Sequence, residues 1–224
     1  MIVLVHSGIC DATMWDGFDV PGLRHELRGS GNTPLAPSGT YSDADDLIAA
    51  IGDEPAALVG SSFGGWVCLQ VAVQRPELVT DLVLLDAPLP DHDRGPEMKD
   101  FSSDEEGLLQ QGDLRGAALL SADFWLESPE PRERLIAMTE RSYELQSESE
   151  AECVEPESID LAAIGARTLV AVGELDKRDF HEIAERLARE IPDTESVVIE
   201  GAGHLPSLER PEATASVICR FLRI

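Results

Sequence analysis

The stretch Leu58-Val59-Gly60-Ser61-Ser62-Phe63-Gly64-Gly65 holds the group best placed for covalent chemistry. A short apolar run, Ala56 to Val59, ends in Gly-x-Ser-x-Gly, and a helix-forming run, Trp66 to Gln74, follows at once. Strand, sharp turn and helix put Ser62 at the apex of a strained turn. Such a turn tolerates only small residues two positions either side, here Gly60 and Gly64. A hydroxyl in front of a helix N-terminus faces N–H groups that stabilise developing negative charge. This is chemistry for an acyl-enzyme. The five-residue pattern is weak alone, and the flanking elements and the order of further groups give it weight.

A serine hydroxyl needs a base, because an alcohol is a poor nucleophile near neutral pH. The chain has five histidines. His204 sits in Gly201-Ala202-Gly203-His204, just past an apolar strand-like run, and is free to reach inward. His25, His92 and His181 lie in polar or helical settings. His6 ends the first strand and is the one rival, read as a structural support for the loop after it. The base in turn needs a carboxylate to fix its tautomer. Asp176, in Gly173-Glu174-Leu175-Asp176, gives the chain order Ser, Asp, His. Asp86, which also ends a strand, competes for that role, and Glu174 does so more weakly. For an oxyanion hole the Phe63 N–H is one donor. The second falls in His6-Ser7-Gly8-Ile9, from Gly8 or, alternatively, Ile9.

The elements that must position these groups read as follows. Ile2 to Val5 is a strand buried on both faces, and Val20 to Leu23, extending toward Leu27, is a second. Ser42 or Asp43 caps a helix through Ile51. The elbow strand and helix come next, then a strand from Asp81 to Leu85. From Pro88 to Ile164 strand signals vanish, and helices are expected at Asp104–Gln111, Leu114–Phe124 and Arg132–Gln146. Strands return at Arg167–Val172 and Ser196–Ile199, with helices from Phe180 to Glu190 and from Pro211 to Leu222. Alternating strands and helices imply a parallel sheet covered on both faces, with ligands at the carboxyl ends of strands. His6-Ser7-Gly8, Ser62, Asp176 and His204 all follow strand ends, and that convergence carries the functional reading.

The remaining chemistry is mostly exclusion. At 224 residues and 43% hydrophobic content, the chain can bury a substantial core as one domain. Its formal charge of −26, from 43 acids against 17 bases, repels nucleic acid and anionic membranes. No run approaches membrane-spanning length and no secretory signal is seen, so a cytoplasmic protein is expected. Cys10, Cys68, Cys153 and Cys219 show no paired or zinc-like spacing, which argues for free thiols and no metal site. Candidate pocket residues are Ile9, Phe63, Trp66, Phe124, Trp125, Leu126, Met138 and Tyr143, each of which could instead serve plain packing.

Taken together, Val5-His6-Ser7-Gly8 with Met14-Trp15-Asp16, His25-Glu26-Leu27-Arg28-Gly29-Ser30-Gly31, the serine motif with Trp66, Gly173-Glu174-Leu175-Asp176, and Gly201-Ala202-Gly203-His204-Leu205-Pro206 with Glu209-Arg210-Pro211 resemble the α/β-hydrolase superfamily. The likeness is to its small esterase and lactonase branch, which includes 3-oxoadipate enol-lactonases. It implies an α/β-hydrolase fold with a core of residues 1–87 and 165–224 and a helical cap, 88–164, over the active site. It implies hydrolysis of a small carboxylic ester or lactone with no cofactor, by a monomer or homodimer. Perhydrolysis, hydroxynitrile cleavage and a non-catalytic small-molecule receptor are the alternatives. Ser7 stands where members usually read Gly. Members also carry an N-terminal hairpin before the first motif strand. Here that strand begins at Ile2, so a sheet of about six strands is expected.

Overall fold

The computed structural model describes residues 1–224. Six parallel strands form the central sheet: β1 (Ile2–Val5), β2 (Leu23–His25), β4 (Ala56–Ser61), β5 (Val79–Leu85), β7 (Arg167–Gly173) and β8 (Thr194–Ile199), in the order β2-β1-β4-β5-β7-β8. Their side chains alternate between two apolar layers. Val3, Val5, Leu58, Leu82 and Leu84 face one side. Leu4, Val59, Val83 and Leu85 face the other. Continuous Val/Leu runs suit this double burial, because each residue is covered whichever way it points.

Helices α1 (Asp43–Ile51), α2 (Phe63–Gln74) and α6 (Arg178–Glu190) pack on the first layer through Leu47, Val67, Ile183 and Leu187. Helix α8 (Pro211–Leu222) packs on the second through Ile218 and Phe221. Between them α2 is the most enclosed, buried from Gly64 to Ala72. Ser42 caps α1 by accepting the Asp45 N–H at 3.2 Å. That oxygen satisfies one of the four N–H groups a helix start leaves unpaired.

Two expectations change. The second strand is shorter and later than Val20–Leu23, because Pro21 has no N–H to give the ladder and Gly22 passes so near β1 that a Cβ would lie 2.8 Å from the Ile2 carbonyl. Val20 and Leu27 are core residues flanking the strand. The segment from 88 to 164 is also not purely helical. It holds α3 (Pro96–Gln110), α4 (Leu114–Trp125) and α5 (Arg132–Ser147), and then β6 (Glu150–Cys153), which pairs in parallel with β3 (Ser38–Tyr41). Glu-Ala-Glu-Cys carries no strand propensity. Backbone pairing makes this ribbon, flanked by Glu150 N–H to the Pro37 carbonyl at 2.9 Å and Val154 N–H to the Tyr41 carbonyl at 2.8 Å. Helix α3 starts eight residues earlier than expected, at Pro96, whose missing N–H costs nothing in a first turn. No helix is long and apolar enough to cross a membrane.

Candidate active site

The loops after β4, β5, β7 and β8 meet at one end of the sheet. Ser62 caps α2 with φ 49° and ψ −121°, a backbone state that costs an L residue about 1–3 kcal/mol. The close crossing beneath it forces the flanking glycines. A Cβ on Gly64 would lie 2.4 Å from the His6 carbonyl oxygen, and one on Gly60 would lie 2.4 Å from that of Gly64. Ser61 is wholly buried with its hydroxyl unpartnered, so Ser62 is the hydroxyl of this pair that the turn presents.

His204 Nε2 lies 2.9 Å from Ser62 Oγ, and its Nδ1 lies 2.9 Å from Asp176 Oδ2. Asp176 Oδ1 accepts the Lys177 N–H at 2.7 Å. Burial works to raise the Asp176 carboxyl. The His204 charge and hydrogen bond, with the bond from the Lys177 N–H, hold it below the ordinary carboxylate range. An ionised Asp176 therefore faces Nδ1 and leaves Nε2 to accept the Ser62 proton. Gly173 lets the two loops close on each other, since a Cβ there would lie 2.0 Å from the Gly203 carbonyl.

His6 has a different task. Its Nε2 accepts the Leu27 N–H at 3.0 Å, so Nδ1 carries the proton and donates to the Ser7 carbonyl at 2.8 Å. Burial keeps the ring neutral, with its pKa lowered to about 4. Ser7 is buried with its N–H turned to Met14 Sδ at 3.3 Å, away from the nucleophile. The Gly8 and Ile9 N–H groups have no acceptor within the protein. Gly8 packs on Phe63, its Cβ position being 3.2 Å from that of Phe63. Phe63 opens α2, where a first-turn N–H has no intrahelical partner. Gly8 and Phe63, expected from the sequence as oxyanion donors, thus lie next to each other.

A cavity of about 390 Å³ opens over Ser62 and His204, lined by Phe63, Trp66, Leu89, Met98, Phe101, Trp125 and Phe180. Trp125 and Phe180 each place a ring 4.2 Å from the His204 imidazole. Phe124 stacks on Phe101 at 4.1 Å and meets Trp125 edge-on. Of the sequence candidates, Trp66, Trp125 and Phe63 line the cavity, and the other five, Phe124 among them, do not. Met138 and Tyr143 pack with Trp15 and Ile136 in the opposite layer. Their apolar spacing on α5 serves that layer, and the Tyr143 hydroxyl donates to Glu105 at 2.6 Å. Ile9 packs against both layers, with its carbonyl accepting from Thr139 at 2.9 Å, and Leu126 packs on the second layer. A larger open groove of about 600 Å³ lies among β3, α2 and the segment after β6, lined mostly by polar residues and not by Ser62 or His204.

For several groups no role at the site was legible in the sequence. Glu209 accepts from the Gly203 N–H at 3.0 Å and from the Glu127 and Ser128 N–H groups at 2.9 Å each, tying the His204 loop to the end of α4. Phe101 and Phe180 enter from distant elements, and Glu155 closes one wall. Asp86, Asp176 and His204 bring ligand-type atoms within 4.8 Å of one another. Both His204 nitrogens are already committed to Ser62 and Asp176 in this arrangement.

Known proteins resemble this chain along its whole length. A pimeloyl-[acyl-carrier protein] methyl ester esterase of Aeromonas hydrophila is 27% identical over 251 aligned residues, covering 99% of this chain and 94% of that one. An esterase of Thermogutta terrifontis superposes with a TM-score of 0.78 at 27% identity, covering 99% of this chain and 89% of that one. An enol-lactonase of Burkholderia xenovorans gives 0.79 at 19% identity over 100% and 91%, a likeness of fold. Over shorter stretches the chain also matches curated lipases, and there it spans only 28% and 22% of their lengths. Residues 2–217 fit the model of the Alpha/beta hydrolase family, and to that family this chain belongs.

Proposed function

We propose that the protein is a carboxylesterase or lactonase that cleaves a small ester through an acyl-enzyme on Ser62. His204 Nε2 removes the Ser62 proton as Oγ attacks the carbonyl carbon. Asp176 stays ionised and steadies the imidazolium. The Phe63 N–H and a second N–H from Gly8 or Ile9 hold the oxyanion. Collapse expels the alcohol, which takes the proton from His204. Water, activated by the same imidazole, then releases the acid. The observation that carries this reading is the continuous hydrogen-bonded line from Ser62 Oγ through His204 to Asp176, at 2.9 Å per link. A cavity of about 390 Å³ with aromatic walls favours a compact, largely apolar acyl group. The segment 88–164 acts as the lid, because α3 and α4 supply Met98, Phe101 and Trp125 to that cavity.

A serine-directed phosphonate tests the nucleophile. It is expected to label Ser62, and Ser62→Ala is expected to abolish both labelling and turnover of short aryl esters and lactones. Label on Ser61, or turnover persisting in Ser62→Ala, would sink the mechanism.

A further inference from the structure

Asp86 ends β5, and the mechanism above does not use it. It is 3% exposed and holds φ at 50°. Its Oδ1 accepts the Gly173 N–H at 2.8 Å. Its Oδ2 is sealed from solvent and has no donor. Asp176 and His204 each have a ligand-type atom within 4.8 Å of it. Glu209, on α7 (Pro206–Glu209), is a third acid acting on it. Two carboxylates this close in a buried site cannot both ionise. Asp176, which accepts from both His204 and the Lys177 N–H, is the better anion. Asp86, with one backbone donor, is the better acid.

We propose that Asp86 is a neutral carboxylic acid whose Oδ2–H donates to Asp176, making it a positioning residue for the catalytic carboxylate. This rests on the reading of Ser62, His204 and Asp176 given above. Burial first, then the Asp176 charge and hydrogen bond, push the Asp86 carboxyl well above its ordinary range, against the pull of the Gly173 N–H. The donated bond fixes the plane of the Asp176 carboxylate and disperses part of its charge. That dispersal moderates how tightly Asp176 holds the proton on His204. Asp86 does not line the substrate cavity, so it acts only through Asp176.

The test is the pH–rate profile of wild type, Asp86→Asn and Asp86→Ala on one aryl ester. Asn reproduces the neutral acid, with an oxygen for Gly173 and an NH₂ for Asp176, and it tolerates a positive φ. Its turnover is expected within about twofold of wild type, with an unmoved acid limb. Ala removes the donor. Its kcat is expected to fall roughly tenfold or more at unchanged KM, with the acid limb moved to higher pH. An infrared carbonyl band of a protonated carboxylic acid should persist at neutral pH in wild type and vanish in Asp86→Asn, a readout available even if the Ala variant does not fold. An acid limb moved down by roughly one pH unit or more in Asp86→Asn would mean that a negative charge had been removed, and would overturn the proposal. So would a folded Ala variant matching wild type in kcat and acid limb. Asp176→Asn in the same series separates this failure from that of the underlying reading. If it is mild while Asp86→Asn is crippling, the assignment of the catalytic acid itself is reversed.

Discussion

The two sides of the candidate site are held by different means. On the sheet side, Ser62, Asp176 and His204 follow strand ends, and main-chain contacts fix them. The Ser62 N–H reaches the Leu85 carbonyl at 2.7 Å, and the Asp86 N–H reaches that of Ala171 at 2.9 Å. On the lid side the walls are side chains, Met98 and Phe101 from α3 and Trp125 from α4, meeting Phe180 from α6. Backbone restraint leaves local marks in a sequence, such as glycines at fixed offsets and apolar runs ending in polar residues. Packing between distant elements leaves none. A site of this kind is therefore readable on the side that backbone contacts hold and opaque on the side that packed side chains wall.

The sharpest test of the sheet side is Asp176→Asn. It should cost roughly three to four decades in turnover with the fold intact, because the imidazole would adopt the wrong tautomer. Near-wild-type kcat in a folded variant would show that the strand-end loops do not carry the chemistry.

Gly64→Ala probes the restraint itself. The added Cβ would meet the His6 oxygen at 2.4 Å and the Val5 oxygen at 2.5 Å, backbone atoms that cannot swing away. Displacing the elbow by even about 1 Å should cost on the order of a hundredfold in kcat/KM. Ala at Gly107, where a Cβ meets nothing within 4 Å, is the matched control on the lid side and should be near neutral. Equal effects at the two positions would erase the distinction drawn here.

The alternating strands and helices of a parallel sheet, the elbow and the strand-end positions of Ser62, Asp176 and His204 were legible because each lies in its own contiguous motif, whereas the count of six strands came through the family resemblance. The sequence did not disclose β3 and β6, whose segments Ser-Gly-Thr-Tyr and Glu-Ala-Glu-Cys form no apolar run and are joined by backbone pairing across about a hundred residues. Nor did it separate Trp125 from Met138 and Tyr143, all apolar residues on lid helices. Which layer each enters depends on how α4 and α5 pack. Glu209 was visible only as part of a motif, because its three backbone partners come from two separate loops.

His6 offers a smaller test of the sheet side. Folding lowers its pKa from 6.5 to about 4. Between those values the unfolded chain binds a proton that the folded chain refuses, so stability falls as pH falls through the window. The full loss is about 3 kcal/mol. Asp43, whose burial raises its carboxyl to about 6, contributes the opposite slope between its ordinary value and that point. Comparing His6→Gln with wild type cancels that contribution. The variant should be less stable at pH 7 yet lose less on acidification to pH 4. Parallel denaturation midpoints across that range would show that His6 is not buried neutral.

The smallest expected effect lies on the lid side and concerns choice of substrate. Trp125 is nearly buried, touches Phe101, Phe124 and Phe180, and stacks on His204, so Trp125→Ala would disturb packing and chemistry together. Trp125→Phe is the cleaner change. It keeps an aromatic face and should cost less than about 1.5 kcal/mol in stability, measured by urea unfolding. It also opens cavity volume where the acyl chain is proposed to lie. Any disturbance of His204 slows every ester alike and cancels in a ratio of two substrates. The ratio of kcat/KM for a longer over a shorter acyl chain should then rise roughly tenfold, the scale of a methylene or two gained in an apolar pocket. A constant ratio with lowered kcat would assign Trp125 to support of His204 alone and move selectivity to Met98 and Phe101. A constant ratio with unchanged kcat would leave the lid side of this cavity without a demonstrated part in either.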